Sequence, residues 1–360
     1  MAFRLAYFIT PHGFGHASRA AAVMNVLYRL IPGAEIDIYT LVPDWFFKES
    51  LEGAYHYHKL CTDVGLIQQT SMNEDLPATL NHLREFFNGF DALAAHLANQ
   101  PEIHESRAVI CDISALGIET AHRAGKPSFL IENFTWDWIY PIYLQEYPQF
   151  ETYIQRFKTL NAGATFHLQT QPFCQPFENA NLISLPVSRR ARECRETMRE
   201  RLQIYPHEKM VLITMGGVPT RFQFMTQLMN NPQVKFVIPG GDEVFNIRDN
   251  LRLLPHRSSF YHPDLVNAAD AVIAKAGYST TAEVFRAGIP FGFLLRQNFR
   301  EAAPLGAYIR EVMGGIEFSE GDFESGCWLN LLDDLLAKPK INRSVENGAD
   351  QIAAFIKGQI

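Results

Sequence analysis

The chain has no apolar run long enough to cross a bilayer and no long basic stretch, and its five cysteines form no Cys-x-x-Cys pair. The first absence argues against a transmembrane helix, which needs about 20 consecutive apolar residues; peripheral contact with a membrane surface stays open. The second, with a formal net charge of -7, removes the electrostatic footprint by which a protein attracts nucleic-acid phosphates. The cysteines, at positions 61, 111, 174, 194 and 327, are odd in number and scattered, which fits reduced thiols better than a disulfide framework. Residues 1–8 lack the order of a signal peptide and run straight into a glycine-rich loop. Neither a repeat of solenoid period nor a low-complexity stretch occurs. The expectation is a cytoplasmic enzyme. What the chain does have is 360 residues, 47% of them hydrophobic, which exceeds one core and suits two packed domains.

Residues 3–10 read as an apolar strand, 11–16 as a tight loop and 17–30 as an alanine-rich helix. Further strands at 35–41, 108–112 and 128–131 alternate with a helix at 115–124, which implies a parallel sheet. Pro186 precedes a charged helix ending near Leu202, and an apolar strand restarts at 210–215 before Gly216-Gly217. The second half repeats the pattern with strands at 234–238, 271–274 and 291–295 and a helix at 279–287. The expected domains are 1–187, 188–342 and a C-terminal helical segment 343–360 that packs back on the first domain, its helix capped by Ser344. In doubly wound sheets ligands sit beyond the carboxyl ends of the strands, so the loops after Thr10, Cys111, Met215 and Ala274 are expected to face one cleft.

Gly13-x-Gly15-x-x-Ser18 nearly matches the dinucleotide fingerprint. That motif wants an acidic residue ending the second strand, yet this strand ends Ile38-Tyr39-Thr40-Leu41 with Asp37 inside it, and the third glycine is Ser18. A close backbone approach to another ligand, or a plain tight turn, remains. Two histidines, His12 and His16, set the loop apart, because imidazole takes a proton near neutral pH. Asp112, ending the strand Ala108-Val109-Ile110-Cys111-Asp112, is placed to hold such an imidazole in one tautomer, or else to cap the following helix.

The run from Asp270 to Glu283 is a strand, a glycine turn and a helix start. Backbone N–H groups and the helix dipole make such a start an anion site, with hydroxyls from Ser279, Thr280 and Thr281 and a charge from Lys275. It suits a diphosphate. Glu283, one turn in, could accept both hydroxyls of a ribose. The competing reading is a capping box, a hydroxyl residue with Glu three positions on.

The pattern K-x-G-Y-S-T-x-x-E-x-x-x-x-G-x-P, running from Lys275 to Pro290, resembles the donor-binding signature of GT-B glycosyltransferases, both the plant-type UDP-glycosyltransferases and the peptidoglycan N-acetylglucosaminyltransferase. The resemblance implies that Gly277, Ser279 and Thr280 contact the diphosphate and Glu283 the ribose hydroxyls, with Lys275 where the plant enzymes carry a phosphate-binding histidine; Tyr278, at the helix start, is also expected at the donor. The loop Pro11-His12-Gly13-Phe14-Gly15-His16 is similar to the plant-type loop whose histidine after the second glycine is the catalytic base. That residue is His16, and Asp112 matches the aspartate that orients it. Asn133-Phe134-Thr135-Trp136-Asp137-Trp138-Ile139-Tyr140, His262-Pro263-Asp264-Leu265 and Asn298-Phe299-Arg300-Glu301 look like the glycosyltransferase-like front half of plant-type L-arabinokinases; the resemblance includes none of the sugar-kinase half.

The implied fold is α/β, with two Rossmann-like doubly wound domains facing across a cleft. The implied activity is an inverting, metal-independent transfer from a nucleotide-diphosphate sugar, a UDP-sugar by resemblance, to an acceptor hydroxyl, of hexosyl or N-acetylhexosaminyl type. No Asp-x-Asp occurs, so no metal and no cofactor is expected. Donor contacts are expected from Gly15, from Gly216-Gly217 unless these only turn the chain, and from Phe260 unless it is core. Asn298, Arg300 and Glu301 fall where related enzymes read the donor sugar, without the usual Asp-Gln. The aromatic residues at 134–147 could line an acceptor pocket, stack a sugar or form core. Two other functions use the same donor cluster: a nucleotide-sugar 2-epimerase and a non-catalytic nucleotide-sugar-binding protein.

Overall fold

The structure, a computed structural model, describes residues 3–68, 73–216, 222–296, 298–343 and 346–360. The chain divides into two compact units. One comprises residues 1–188, 298–301 and 346–360, the other residues 189–297 and 302–345.

In the first unit β1 (Phe3–Ile9), β2 (Ala34–Thr40), β3 (Tyr55–Lys59), β4 (Ser106–Asp112), β5 (Ser128–Glu132), β6 (Phe166–Thr170) and β7 (Leu182–Ser184) form one sheet in the order β3-β2-β1-β4-β5-β6-β7. Every pairing is parallel. A parallel sheet is covered by helices on both faces, so its central strands are continuously apolar; Leu5 to Ile9 of β1 are fully buried. The order reverses between β1 and β4. At such a switch point the connections leave in opposite directions and open a crevice at the carboxyl ends. Register pairs Ile9 with Asp112, which brings the loop after β1 beside the end of β4.

The segment at 134–147 builds core: Phe134, Trp136, Ile139, Tyr140 and Tyr143 are buried with Phe87 and Phe90 of the helix Leu76–Ala98. The C-terminal helix Gly348–Gln359 packs on the helix Phe14–Leu30. Its cap is Asn347, which closes a capping box with Asp350 and donates through Nδ2 to the Ser188 carbonyl at 2.7 Å; Ser344, the expected cap, lies outside the described residues.

In the second unit β8 (Lys209–Thr214), β9 (Val234–Pro239), β10 (Asn246–Arg248), β11 (Leu251–Leu254), β12 (Ala271–Lys275), β13 (Phe291–Leu294) and β14 (Ile316–Glu317) take the order β10-β11-β9-β8-β12-β13-β14. Only β10 pairs antiparallel. The reversal falls between β8 and β12, so Gly216 and the Lys275 cluster flank this unit's own switch point. The charged helix expected up to Leu202 is restricted to Arg195–Arg201. Just before it the Asp264 carboxylate accepts from the Arg192 and Glu193 amides at 2.6 and 3.1 Å and holds the chain out of helix. Among the described residues no helix is long and apolar enough to cross a membrane.

Gly288 ends the helix Tyr278–Ala287 at φ 65, and a Cβ placed there would lie 1.7 Å from the Ile341 carbonyl oxygen. Gly288→Ala therefore meets both the left-handed backbone penalty, about 1 kcal/mol, and a backbone clash. A loss of roughly 3 kcal/mol in a chemical-denaturation midpoint analysis is expected; a loss below the backbone penalty alone would contradict the packing described.

Candidate active-site residues

Gly13, at φ 80, turns the chain directly into the helix Phe14–Leu30. The helix thus begins three residues earlier than expected, and Gly15 and His16 lie in its first turn rather than in the loop. His16 is 8% exposed and its Nδ1 lies 2.8 Å from Asp112 Oδ1. Asp112 is fully buried. It does not cap the next helix, a task that falls to Ser114.

The sequence reading missed Arg19, which is 1% exposed. Its Nε donates to Asp112 Oδ2 and its Nη2 to Asp112 Oδ1, both at 2.7 Å, while Nη1 donates to Asn133 Oδ1 at 2.6 Å. Asn133 Nδ2 in turn donates to Glu301 Oε1 at 2.7 Å. Burial alone would raise the Asp112 carboxyl, but the Arg19 charge and the bonds from Arg19 and His16 outweigh it and hold the group below its ordinary value. An ionised carboxylate only accepts, so the His16 bond requires Nδ1–H. In the neutral ring Nε2 is then the nitrogen that can accept a proton.

His12 is half-buried with its ring 4.9 Å from Trp136 and 6.4 Å from His16. Below this loop lies a second buried carboxyl, Asp63, which accepts Trp136 Nε1–H at 2.5 Å and the Val64 amide at 2.7 Å. Burial pushes its carboxyl up to about 8 against those bonds. Asp37, passed over as a ribose ligand, is fully buried and held by Arg4 at 2.6 Å and His58 at 2.8 Å.

In the second unit Lys275 ends β12, and a Cβ on Gly216 would lie 3.6 Å from Lys275 Cε, so the backbone after β8 passes close to the ammonium stem. Gly217 lies outside the described residues. Gly277 is the N-cap of the helix Tyr278–Ala287 and no side chain caps it, which removes the capping-box reading. The first intrahelical bond runs from the Thr281 amide to the Gly277 carbonyl at 3.0 Å. The amides of Tyr278, Ser279 and Thr280 precede it, at the positive end of the helix dipole.

Glu283 sits in the second turn, 4% exposed, with Oε1 accepting from Arg189 Nε at 3.0 Å and Oε2 within 2.7 Å of His262 Nδ1. Burial would raise its carboxyl; the Arg189 charge and the His262 bond prevail and hold it low. Its remaining lone pairs are therefore those of an ionised acceptor. Phe260 is half-buried against Phe245, ring to ring 5.4 Å, with the Arg201 guanidinium 4.7 Å above it. Its neighbours are those of a core aromatic.

Asn298, Arg300 and Glu301, expected among the donor contacts of the second domain, belong to the first unit. Tyr143 Oη donates to the Asn298 carbonyl at 2.8 Å, Arg300 lies 4.2 Å over the Trp138 ring and donates to its carbonyl, and Glu301 is 8% exposed and bonded to Asn133. The sequence signals for the missed partners are modest. Arg19 shares a helix face with His16 three positions earlier, and His262 stands in a quoted motif.

Both sheets run parallel around a switch point, with the chemistry-bearing residues at the carboxyl ends of the two strands that flank it. The same architecture holds in solved glycosyltransferases. The glycotransferase of kitacinnamycin superposes with a TM-score of 0.68 at 13% identity, covering 99% of both chains. Phytolacca americana UGT2, complexed with UDP-2fluoro-glucose and pterostilbene, gives 0.63 at 12% identity over 99% of both. The fold is GT-B. By sequence the chain is 26% identical over 358 residues to L-arabinokinase of Arabidopsis thaliana, a match covering 98% of this chain. It spans about a third of that relative's length, 34%. No protein-family model matches the chain. The resemblance to GT-B glycosyltransferases thus stands in structure and that to L-arabinokinase in sequence.

Asp63 generates a pH prediction. Its carboxyl rises from 3.8 to about 8 on folding, so its contribution to stability is fully present below pH 3.8 and is lost as pH rises toward 8. Urea unfolding across that window is expected to show Asp63→Asn losing less stability with rising pH than the parent. Equal slopes would contradict the assignment.

Proposed function

We propose that this GT-B chain is an inverting glycosyltransferase that moves a sugar from a nucleoside diphosphate sugar to an acceptor hydroxyl without a metal. The observation that carries the reading is the 2.8 Å contact from His16 Nδ1 to a fully buried Asp112 at the switch point of the first sheet. It leaves Nε2 to take the acceptor proton as the oxygen attacks the anomeric carbon, and Asp112 to stabilise the imidazolium that forms. As the anomeric C–O bond breaks, its electron pair goes to the departing diphosphate. The uncapped helix start at Tyr278 and the Lys275 ammonium would meet that charge, a fixed electrostatic role that other transferases give to a metal ion.

In this reading the second unit carries the donor and the first removes the proton. Ionised Glu283 accepts the ribose hydroxyls with the lone pairs that Arg189 and His262 leave. UDP is the favoured nucleotide because Phytolacca americana UGT2 shares the fold and is complexed with UDP-2fluoro-glucose. Arg300 and Glu301 act by securing the 298–301 segment on the first unit, and Phe260 by packing.

His16→Ala is expected to lower turnover by about 100-fold or more while leaving UDP-sugar affinity, measured by titration calorimetry, within about twofold. Retained turnover would remove His16 as the base. Glu283→Gln is expected to weaken UDP-sugar binding by about tenfold, the value of one charge-assisted hydrogen bond; unaltered binding would remove the ribose assignment.

A further inference from the structure

We propose that Arg19 is a positioning residue that keeps His16 available as a base by supplying the positive charge Asp112 would otherwise take from the imidazole. The proposal rests on the glycosyltransferase reading only for its kinetic consequence.

A carboxylate sealed from water needs a compensating cation. Asp112 is fully buried, and Arg19 meets it at both oxygens through a fork of two 2.7 Å bonds. With that charge answered, the imidazole can donate Nδ1–H and stay neutral. Without it, the neighbour at Oδ1 is the His16 ring itself, and the buried carboxylate would draw a proton onto it. Nε2 would then carry hydrogen and could accept nothing. The guanidinium also lies 3.2 Å from His16 Nδ1 through Nη2. Nη1, bonded to Asn133 and thence to Glu301, fixes the plane of the fork.

Among the described residues, the other titratable groups near this pair do not supply that charge: Arg300, the other cation close to Cys174, lies over the Trp138 ring and donates to the Trp138 carbonyl. Tyr7 on β1, Cys111 on β4 and Cys174 are held neutral, their ionisation pushed up by burial and by the acidic groups around them. Glu132 at the end of β5 accepts from Gln169 and contacts His167, both at 2.7 Å, and Glu301 accepts from Asn133. His12 stands 6.4 Å away, ring to ring. A lysine at position 19 could bring charge but not the planar fork.

The test is a ¹⁵N-histidine NMR titration of the full chain, paired with the pH profile of kcat/KM. The parent is expected to show the Nδ1–H tautomer when His16 is neutral. Arg19→Met is expected to raise the His16 midpoint by about 1–2 pH units and to move the acid limb of the profile upward equally, so that activity recovers at higher pH. Arg19→Lys should leave the midpoint near the parent while turnover falls through looser orientation of Asp112. Should Arg19→Met not fold, Arg19→Met/Asp112→Asn removes both charges, and its His16 should titrate within about half a unit of the parent. An unmoved midpoint in Arg19→Met, a Lys midpoint displaced as far as the Met one, or a double-variant midpoint displaced by a unit or more would overturn the proposal. The NMR midpoint is read whether or not sugar is transferred. A displaced midpoint in a chain that turns over no nucleotide sugar would uphold the Arg19 role and sink the transferase reading alone.

Discussion

The first unit depends on an ionised carboxylate placed where water does not reach. The idealised cost of carrying such a charge inside is large, of the order of 20 kcal/mol before relaxation, and is offset only by a well-aligned partner with further hydrogen bonds. Asp112 has that partner in Arg19, whose remaining donor nitrogen is tied to Asn133. The arrangement joins four elements: the first helix, the end of β4, the turn after β5 and the 298–301 segment. None of these could move far without exposing or orphaning a charge. The pose of His16 follows, since a ring bonded to a fixed ionised carboxylate is left with one tautomer. Stability and chemistry draw on the same bonds.

The second unit is arranged differently. It leaves a helix start without a side-chain cap and puts a lysine at the end of the preceding strand. The acidic residue of the cluster is not loose at the surface. Glu283 is gripped by Arg189 and His262, which keep it ionised despite burial. Each unit thus places its polar groups at the carboxyl ends of the strands flanking its switch point, where a doubly wound sheet leaves a crevice.

Much of this was legible in the sequence. Strand, glycine and hydroxyl punctuation locates both loops, because glycine turns and helix starts are local constraints written in adjacent residues. Two outer strands were not legible: Tyr55–Lys59 at one edge and Phe166–Thr170, next to β7 at the other, carry histidines and polar residues that blur the apolar run of a buried strand. Arg19 was hidden for another reason. Arginine is among the residues least often buried, and its partner stands 93 residues along the chain; only the β1–β4 register brings the two together. The 298–301 segment was read with the domain that surrounds it in sequence, yet its polar groups find partners at Asn133, Trp138 and Tyr143, which no local pattern announces. The C-terminal cap is Asn347, which has both an acidic partner, Asp350, and the Ser188 carbonyl within reach.

The proposed function stands or falls on His16 as the base that takes a proton from an acceptor hydroxyl during transfer of the sugar with inversion. Proton NMR of the full chain with a panel of UDP-sugars and sugar or phenol acceptors tests it most directly, because the anomeric coupling constant of the product reports stereochemistry as the nucleotide is released. The account predicts UDP release that requires an acceptor, together with a product of inverted anomeric configuration. Retention at the anomeric carbon, or conversion of the donor sugar to its C2 epimer with no acceptor present, would contradict it.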